Sequence, residues 1–452
     1  MCKGERAMKT IRDGKRPARG RFTKIAALVL AATAAGACDS LLEVELPGNL
    51  TEDGLLIPDM ANTMVVSAIA DFECSYSDFS VSIGGLEDAY WESTGWFTRA
   101  WSEYRITSTS GNCGQSNTNA AFATSFQKAR FQAEQAYNTI SGFEEAVPDQ
   151  DNLLATAALY AGLVYTVFGE HWCENTVDVG PLMTPSQLLA GGEEWLGTAI
   201  GHMSGDFDIT AVTSSARQLA HLARARNRLS QGNMSGAASD AAQVTDPNFI
   251  AWVTRDNSVR KRWNQVYHML NENKYGTITP AVMVDGVAVA PGFRNLTIAA
   301  DGSQTVDDGM PDPRVPVVNT GQVGQDGVTP HWVQTKYRDQ GYDIPLGDWA
   351  EAQLILAEAE VMSGDAASAL SRINALRDRH GLPHASSVDM DVIVEERRRE
   401  MFLEGRHHAD KLRYGLWFPR GQNFNHKGVA YGPTTCLPID ETELELNPNT
   451  SG

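Results

Sequence analysis

Residues 395–415 read EERRREMFLEGRHHADKLRYG, a stretch in which acids and arginines alternate along a helical pattern. On a helix, residues three or four positions apart lie side by side, so Glu395 can pair with Arg399. A charged side chain that is buried in a protein requires such a partner. The stretch therefore predicts a helix that packs into the fold through ion pairs.

Two chemical interpretations of the same stretch compete with this structural one. Two of the acids in this stretch could belong to a glycosidase, which needs two carboxylates about 5 to 9 Å apart. The candidates are Glu395, Glu396, Glu400 and Glu404. Glu404, His407 and His408 could bind zinc, but adjacent His residues on a helix point about 100° apart and no second ligand cluster exists. The chain also has no nucleophile elbow, phosphate-binding loop or dinucleotide fingerprint. We therefore expect no enzymatic activity, no metal and no cofactor.

Helical periodicity continues through most of the chain before this stretch. Apolar residues recur there at three- and four-residue spacing, which is typical of helices with one buried face. The segments are 59–71, 119–141, 153–168, 184–203, 215–229, 234–244, 347–363, 366–380 and 388–403. The sequence therefore predicts a mainly α fold.

Two pairs of these helices share one design. Residues 215–244 and 347–380 each contain a helix rich in small residues, a short turn with Gly and a second helix. Small residues allow paired helices to approach closely, and the length and turn position match a tetratricopeptide-like unit. We expect such pairs to form a helical scaffold.

A different region, from about 263 to 342, separates the two pairs. It is rich in Gly, Pro, Asp, Thr and Val and contains short alternating runs. This pattern predicts long loops with hairpins, inserted between the scaffold helices. Because loops on a rigid frame often carry recognition, this region is a candidate binding region. Its acidic stretch 301–312 lacks the pattern of a calcium-binding loop, and we interpret it as solvated.

The amino terminus has the composition of an export signal. Nine Lys or Arg residues stand against Glu5 and Asp13 before an uncharged apolar run at 25–35. That run is far shorter than the roughly 20 residues that a membrane-spanning helix needs. Small residues then lead into Cys38, which resembles a bacterial lipobox, where the Cys is lipidated. Cleavage before Cys38 without lipidation is the alternative.

These features predict three parts of the chain. Residues 1–37 form the signal peptide, residues 38–52 a lipidated tether, and residues 53–452 the folded domain, which an acyl chain on Cys38 would hold at a membrane. Removing the signal changes the formal net charge from −19 to about −26, because nine basic and two acidic residues leave with it. Such an acidic protein repels nucleic acid, so we exclude nucleic acid as a partner.

The remaining cysteines are Cys74, Cys113, Cys173 and Cys436. In an exported chain they can form two disulfides, and their wide spacing fits no zinc signature. Proximity in the sequence favours Cys74 with Cys113 and Cys173 with Cys436. Buried free thiols are the alternative.

Aromatic residues are concentrated between residues 90 and 104, where Trp91 and Trp96 lie among charged side chains. Flat rings can stack on the apolar faces of sugars while neighbouring polar groups bind the hydroxyls. The same tryptophans could instead fill the core beneath the scaffold. The sequence alone leaves both interpretations open.

Several segments together resemble the SusD/RagB family of outer-membrane nutrient-binding lipoproteins. The strongest is 395–415, in which Glu404, Gly405, Arg406, Asp410 and Arg413 match the family's signature. The other segments are Cys38–Val44 with Pro47 and Gly48, Asp312–Arg314, Lys336–Tyr337, Ile344–Leu346 leading into Trp349–Leu354, Leu437–Asp440 and Asn447–Asn449. The chain departs from the pattern after Gly169, where it reads His171–Trp172–Cys173, and this leaves the ligand class open.

The resemblance implies a SusD-like scaffold of tetratricopeptide-like helices on the outer membrane, partnered with a TonB-dependent, SusC-like transporter. It implies capture of an oligosaccharide or similar oligomer at a platform that combines early residues with residues of the later loops. The candidate platform residues in this chain are Trp91, Trp96, Trp263, Tyr267, Trp332 and Tyr337.

Three functions are therefore in competition. Glycan capture for a transporter predicts exposed aromatic rings, and a peptide- or protein-binding scaffold predicts a groove without them. A surface glycosidase predicts two facing carboxylates in a cleft.

Overall fold

The computed structural model of the protein describes residues 54, 56–95, 106, 111–114, 122–284, 287–419 and 430–450, without the side chains of residues 283–289. The predicted signal peptide, Cys38, the whole tether and Trp96 lie outside the described residues. From Leu56 onward, the described residues belong to one unit, Leu56–Gly452.

Helices dominate the regular structure of this part of the chain, which confirms the mainly α fold. They are α1 (Ala61–Leu86), α2 (Ala123–Ser141), α3 (Gln150–His171), α4 (Pro185–His202), α5 (Ala216–Ser230), α6 (Met234–Ala241), α7 (Gln265–Tyr267), α8 (Trp349–Ser363), α9 (Ala366–Arg379), α10 (Met390–Glu400), α11 (His407–Tyr414) and α12 (Glu441–Leu446). Each predicted helical segment corresponds to one of them.

The predicted end of the first helix at residue 71 is wrong, because α1 continues to Leu86. Its second half contains serines and glycines, which are weak helix formers. Every residue from Phe72 to Leu86 is nevertheless buried, and the hydroxyls of Ser80 and Ser82 donate to the carbonyls four residues earlier at 2.8 and 2.9 Å. Burial therefore overrides local propensity in this helix.

The largest core cluster forms where α1, α2 and α3 meet. Its aromatic members contact one another edge to face or stacked, with ring centroids 5.0 to 6.5 Å apart. They include Phe72, Phe79, Phe126, Tyr160, Phe168 and Trp172. Large rings contribute much buried area each, so this cluster is the main hydrophobic anchor of the helical scaffold.

Helix α3 is the one described helix that is long and apolar enough to cross a membrane. However, 89% of its most apolar window is buried inside the protein. A core helix surrounded by other helices has the same composition, and α3 packs against α2 and α4. We therefore assign α3 to the protein core.

Two disulfides connect distant segments to the scaffold. Cys74 in α1 binds Cys113, and Cys173 just after α3 binds Cys436 near the C-terminal helix. The structure thus contains the pairing that proximity in the sequence favours. Backbone hydrogen bonds reinforce the second link, since Cys173 N–H donates to the Leu437 carbonyl at 2.9 Å.

The two predicted tetratricopeptide-like pairs are present as α5 with α6 and α8 with α9. Side-chain oxygens cap all four helices at their N-termini, which satisfies backbone donors that the helix leaves free. The caps are Ser215, Asn233, Asp348 and Asp365. Between α8 and α9, Gly364 takes the left-handed conformation with φ 85°, which ends the first helix and allows the tight turn.

Short antiparallel strands lie mainly after α6, as the loop-and-hairpin prediction requires, and one of them, β1, lies between α1 and α2. They are β1 (Tyr90–Glu92), β2 (Ile250–Val253), β3 (Gly276–Ile278), β4 (Val282–Val284), β5 (Val287–Ala290), β6 (Leu296–Ile298), β7 (Gln304–Val306), β8 (Met310–Pro311), β9 (Val317–Val323), β10 (Pro330–Gln334) and β11 (Ile344–Asp348). The strands pair as β1–β3, β2–β11, β4–β5, β9–β10 and β7–β6–β8. Strand β1 comes from the segment after α1, so it joins the early chain to the later loops.

Buried ion pairs connect α10 to the loop region and to α9. Glu396 is fully buried and accepts hydrogen bonds from Arg314 and Arg377, each at 2.5 Å. The predicted pair between Glu395 and Arg399 is confirmed at 2.7 Å. The structural interpretation of the 395–415 stretch is therefore correct.

The interpretation of residues 301–312 as a solvated loop is wrong for its last residue. Asp312 is buried and pairs with Arg314 at 2.8 Å and with Arg399 at 3.2 Å. Burial alone would raise the pKa of Asp312, but its hydrogen bond to Arg314 and the two guanidinium charges lower it to about 2. Asp312 is thus part of the buried ion network.

The predicted helix 388–403 ends earlier, at Glu400. Leu403 and Gly405 take left-handed conformations with φ 57° and 76°, and a Cβ atom at Gly405 would lie 2.9 Å from the Phe79 ring. The chain therefore turns sharply before α11. Arg397 then pairs with Asp410 of α11 at 2.9 Å, which holds the two helices together.

We predict that Glu396→Gln lowers the free energy of unfolding by about 3–5 kcal/mol, because it removes the carboxylate that pairs with buried Arg377 and one of those that pair with buried Arg314. Urea denaturation measures this loss. Glu445→Gln is the control, because Glu445 is exposed and its change should cost no more than about 0.5 kcal/mol. Equal stability of the two variants would contradict a structural role for the network.

We also predict that acid destabilises the protein through Glu395. Burial would raise the pKa of Glu395, but Arg398 and Arg399 lower it to about 2, below its ordinary value of 4.5. Since the folded-state pKa is the lower one, the stabilisation is complete above pH 4.5 and is lost as the pH falls towards 2.

Glu395→Gln should therefore flatten the decrease of unfolding free energy with falling pH over this range. Urea titrations of the parent and the variant at several pH values measure the two slopes. Parallel pH profiles would show that Glu395 makes no such contribution.

Candidate ligand-binding site

Strand β1 brings the early chain to the loop region and exposes one tryptophan there. Tyr90 and Glu92 are buried, whereas Trp91 between them is partly exposed, as alternation along a strand requires. The Tyr90 hydroxyl donates to the Val81 carbonyl at 2.8 Å and so fixes β1 on α1. Trp91 lies opposite Thr277 of β3, and side chains of such a pair project from the same face of the sheet.

Thr277 also holds the strand that carries the second tryptophan. Its hydroxyl oxygen accepts from Trp332 N–H at 2.9 Å and donates to the Pro330 carbonyl at 2.8 Å. The β9–β10 pairing shifts register between Pro330 and Trp332, with His331 buried and Trp332 partly exposed. Trp91 is the strand partner of Thr277, and the Trp332 backbone binds the Thr277 hydroxyl, so two tryptophans that are 241 positions apart in the sequence both neighbour Thr277. We call the surface formed by Trp91, Trp332 and their polar neighbours the Thr277 face.

An arginine completes one end of this face. The guanidinium of Arg294 lies over the Trp332 ring, 4.9 Å from its centroid. It donates to the Ile278 carbonyl and, at 3.3 Å, to the Thr277 hydroxyl. Burial lowers the pKa of Arg294 to about 10, and no carboxylate offsets this effect. The side chain nevertheless remains a cation at neutral pH.

Polar side chains complete the other end. The Thr94 hydroxyl donates to Gln325 Oε1 at 2.7 Å, and Gln325 N–H donates to the Lys274 carbonyl at 3.0 Å. Lys274 Nζ donates to Gln322 Oε1 at 2.5 Å. Amides, hydroxyls and an amine beside partly exposed indoles can bind a ligand that has both apolar faces and polar groups.

The 395–415 stretch positions the segments that carry these residues. Arg398 donates to the Gly292 carbonyl and stacks on Phe293, 4.4 Å from the ring centroid, directly before Arg294. Lys336, just after β10, donates to the Phe402 carbonyl at 2.9 Å and pairs with Glu404 at 2.5 Å. The helical scaffold thus fixes both the Arg294 turn and the Trp332 strand.

The prediction of Tyr337 as a ligand-binding residue is wrong. Tyr337 is 0 % exposed, and its hydroxyl donates to the Leu403 carbonyl at 3.0 Å. Burial raises its pKa well above the ordinary value. The residue anchors the end of β10 on the turn before α11 and presents no ring to a ligand.

The remaining predicted residues lie in different settings. Trp263 stacks at a tilt on His268, with ring centroids 4.9 Å apart, and its indole N–H is buried without an acceptor. Tyr267 is partly buried and packs against the main core cluster. Trp96 lies outside the described residues. The structure therefore brings Trp91 and Trp332 together and places Trp263 and Tyr267 on the segment that leads into β3.

Thr277, Arg294, Lys274 and Gln325 were not among the sequence-based candidates. Each is a single polar residue in an irregular segment, without a motif that distinguishes it. A weak signal exists for Arg294, because a cation in a Gly-Phe-Arg-Asn turn of an acidic protein is unusual in that region. Only the strand pairing reveals that these side chains share one face.

A separate groove lies between α1, the start of α3 and the loop before α5, with a volume of 470 Å³. Its walls combine aliphatic and polar side chains, and the lining residues Glu73 and Arg262 form an ion pair of 2.8 Å. Phe207 is its one aromatic lining residue among those described. The groove offers volume but no pair of exposed flat rings, so we favour the Thr277 face.

The acids of the 395–415 stretch are occupied by cations. Glu395 pairs with Arg398 and Arg399, Glu396 with Arg314 and Arg377, Glu400 with His380 and Arg314, and Glu404 with Lys336. The glycosidase interpretation requires two of these carboxylates to face a cleft. All four instead serve the ion network.

His408 likewise has a structural environment. It stacks on His171, with the two Nδ1 atoms 3.0 Å apart, and its Nε2 lies 2.6 Å from the Thr435 carbonyl. Burial lowers the pKa of His408 to about 3, so the ring is neutral. In the described part of the chain, no cluster of three His, Cys, Asp or Glu side chains has the geometry to hold a metal ion.

Comparisons with known proteins agree on one family. The family model described as SusD family matches residues 210–449. The starch-binding protein SusD of Bacteroides thetaiotaomicron is 33% identical over 116 residues, which is 24% of this chain and 21% of that protein. The match therefore spans only about a fifth of that relative's length.

Solved structures share the fold over most of the chain. A SusD-like carbohydrate binding protein from Bacteroides vulgatus has a TM-score of 0.63 at 16% identity, covering 87% of this chain and 97% of that one. The surface glycan-binding protein A from Bacteroides uniformis has a TM-score of 0.58 at 15% identity, covering 87% and 98%. A laminarin binding SusD-like protein has a TM-score of 0.56 at 15% identity, covering 86% and 97%.

We predict that Thr277→Val disrupts the Thr277 face, because it leaves Trp332 N–H without its acceptor and the Pro330 carbonyl without its donor. The expected loss of unfolding free energy is about 1–3 kcal/mol, with a shift of tryptophan fluorescence. Urea denaturation followed by fluorescence measures both. Thr277→Ser keeps the hydroxyl and should cost less, so a smaller effect of Thr277→Val than of Thr277→Ser would contradict the role of the hydroxyl.

Proposed function

The chain belongs to the SusD family, and from this membership we propose that it is a cell-surface lipoprotein that captures a glycan and delivers it to a TonB-dependent, SusC-like transporter. It is a binding protein and not an enzyme. The proposal concerns the ligand, the binding face, the membrane anchor and the partner.

The Thr277 face carries the proposal for the ligand. Trp91 and Trp332 are both partly exposed, and their backbones both neighbour the buried Thr277. Gln322, Gln325 and Lys274 form hydrogen bonds on the adjoining segments. Sugar rings have apolar faces that stack on indoles and hydroxyls that bind amides and amines. The combination of an early segment with later loops also agrees with the platform that the family resemblance implies.

The names of similar proteins support the same ligand class. Relatives and structural neighbours are described as starch-binding, glycan-binding, carbohydrate binding and laminarin binding proteins. These ligands differ from one another, so they support a saccharide without naming which one this chain binds.

The anchor and the division of the chain follow from the amino terminus. We propose that residues 1–37 are removed on export, that Cys38 is lipidated, and that residues 38–52 tether the SusD-like domain of residues 53–452 to the outer membrane. A domain held close to a membrane-embedded transporter needs only weak binding to it, because the tether raises its effective concentration.

A second candidate function is binding of a peptide or protein by the helical scaffold. The observation that favours it is an apolar groove of 500 Å³ between α6 and α8. Met234, Ala238, Leu356 and Met362 line it, and Met362 is exposed. Flexible methionine side chains suit contact with varied apolar partners.

We predict that Trp91→Ala and Trp332→Ala each weaken oligosaccharide binding by about tenfold or more, because each removes a stacking surface. The test is isothermal titration of the mature chain carrying Cys38→Ala, which cannot be lipidated, against neutral and acidic oligosaccharides and a set of peptides.

Trp349→Ala is the matched control. Trp349 is also a partly exposed indole with an arginine over its ring, Arg379 at 5.1 Å, but it belongs to α8. It should leave sugar binding unchanged. Binding of peptides alone, or sugar binding that only Trp349→Ala reduces, would replace glycan capture at the Thr277 face with the scaffold function.

A further inference from the structure

We infer that the ligand is an anionic saccharide, with a carboxylate or sulfate group that binds Arg294 beside Trp332; this inference rests on the proposed function. Its basis is the state of the Arg294 side chain, its place at the Thr277 face and the charge of its surroundings.

Arg294 is a partly buried cation that has no ion pair with an acid of the described residues. Its guanidinium contacts the Trp332 ring, the Ile278 carbonyl and the Thr277 hydroxyl. Burial lowers the pKa of Arg294, and no carboxylate of the described residues raises it again. Partial burial of a charge is costly, and proteins usually offset it with an acid.

Most of the other buried arginines of the described residues pair with acids, whereas Arg406 donates to the Leu346 carbonyl at 2.7 Å and lies over the Tyr76 ring. Arg226 pairs with Glu351 at 2.5 Å, Arg314 with Asp312 at 2.8 Å, and Arg397 with Asp410 at 2.9 Å. Arg379, which also stacks on a tryptophan, is exposed, so water solvates its charge. Arg294 thus differs both from the paired buried arginines and from a solvated one.

A second cation lies at the opposite end of β3. Lys274 binds Gln322 through its amine and forms no ion pair with a carboxylate in the part of the chain that the structure describes. Its charge also reaches His331, whose pKa is lowered by burial first and by Lys274 in addition. Cations at both ends of a three-residue strand suit an oligomer that carries acidic groups on more than one unit.

The charge of the whole protein makes this arrangement selective. The chain carries a formal net charge of −19, so its general field repels anions. Binding of an acidic glycan therefore requires local cations that are not neutralised by the protein's own acids. A neutral glycan needs no such residue, because hydroxyls bind amides and carbonyls equally well.

A purely structural role for Arg294 is the alternative. In that case the side chain serves only to cover Trp332 and to satisfy the Ile278 carbonyl. Loss of the guanidinium would then reduce binding of charged and uncharged glycans alike, through a less ordered Thr277 face. Measurements on glycans that differ only in charge separate the two roles.

The experiment is isothermal titration of the mature chain carrying Cys38→Ala against two pairs of probes. One pair is short oligogalacturonates and their methyl esters, and the other is chondroitin sulfate oligosaccharides and their desulfated forms with reduced carboxyl groups. The expected result is at least about tenfold tighter binding of the charged member of one pair, decreasing with added salt. A response of the galacturonate pair identifies a carboxylate as sufficient, and a response of the chondroitin pair alone indicates that sulfate is needed.

Arg294→Gln should remove most of that difference, because it weakens binding of the charged member at least about fivefold more than binding of the uncharged member. Lys274→Gln, at an exposed amine, provides a second test in case Arg294→Gln does not fold, and Arg379→Gln is the matched control that should change nothing. Thermal unfolding verifies that each variant is folded.

Equal affinity for charged and uncharged probes, or an equal loss of both in Arg294→Gln, would overturn the anionic ligand and leave glycan capture intact. Binding of uncharged glycans alone would do the same. An absence of binding to any saccharide, in this panel and in the neutral one, would overturn glycan capture and the anionic ligand together.

Discussion

The buried carboxylate of Glu396 is the contact on which the rest of the structure depends. It joins Arg314 of the loop region to Arg377 of α9, at 2.5 Å each, with no exposure to solvent. Each charge in such a cluster is costly without its partners, so the cluster forms only when α9, α10 and the loop region are all in place. Neighbouring arginines extend the effect to the backbone, since Arg377 donates to the Gly302 carbonyl and Arg399 to the Thr297 carbonyl. The charged helix α10 therefore organises irregular strands that are too short to be stable alone.

The binding face follows from the same arrangement. Arg398 holds the turn that leads to Arg294, and Lys336 and Tyr337 hold the end of the strand that carries Trp332. Thr277 then brings that strand to Trp91, which α1 positions through Tyr90. The rigid helical scaffold thus positions the recognition residues, which lie on irregular segments. Proteins commonly combine binding loops with a rigid scaffold in this way.

The sequence predicted the helices well because their apolar periodicity is a local property. It predicted the ion-paired nature of 395–415 for a similar reason, since spacing on one helix determines which charges meet. Two features depended on distant contacts and could not be predicted in this way. Residues 72–86 have weak helical propensity and are helical because they are buried. Asp312 looked solvated by composition, but its partners lie on α10 and beside it.

The binding residues show the same limit. Trp91 and Trp332 were identifiable as aromatic residues in suitable segments. Tyr337 is equally aromatic, but its ring is buried. Strand pairing, which no local pattern specifies, decides between a ring that faces solvent and a ring that anchors the fold. Arg294 carries no motif and gains significance only from its position over Trp332 and from the lack of an acid beside it.

Hydrogen exchange of the mature chain with and without a bound acidic oligosaccharide, followed by mass spectrometry, tests the central claim most directly. The account predicts that the ligand slows amide exchange in residues 90–95, 274–278, 292–296 and 322–332, which form the Thr277 face. Protection confined to the groove near residues 62–73 and 207–212, or to α6 and α8, would contradict it.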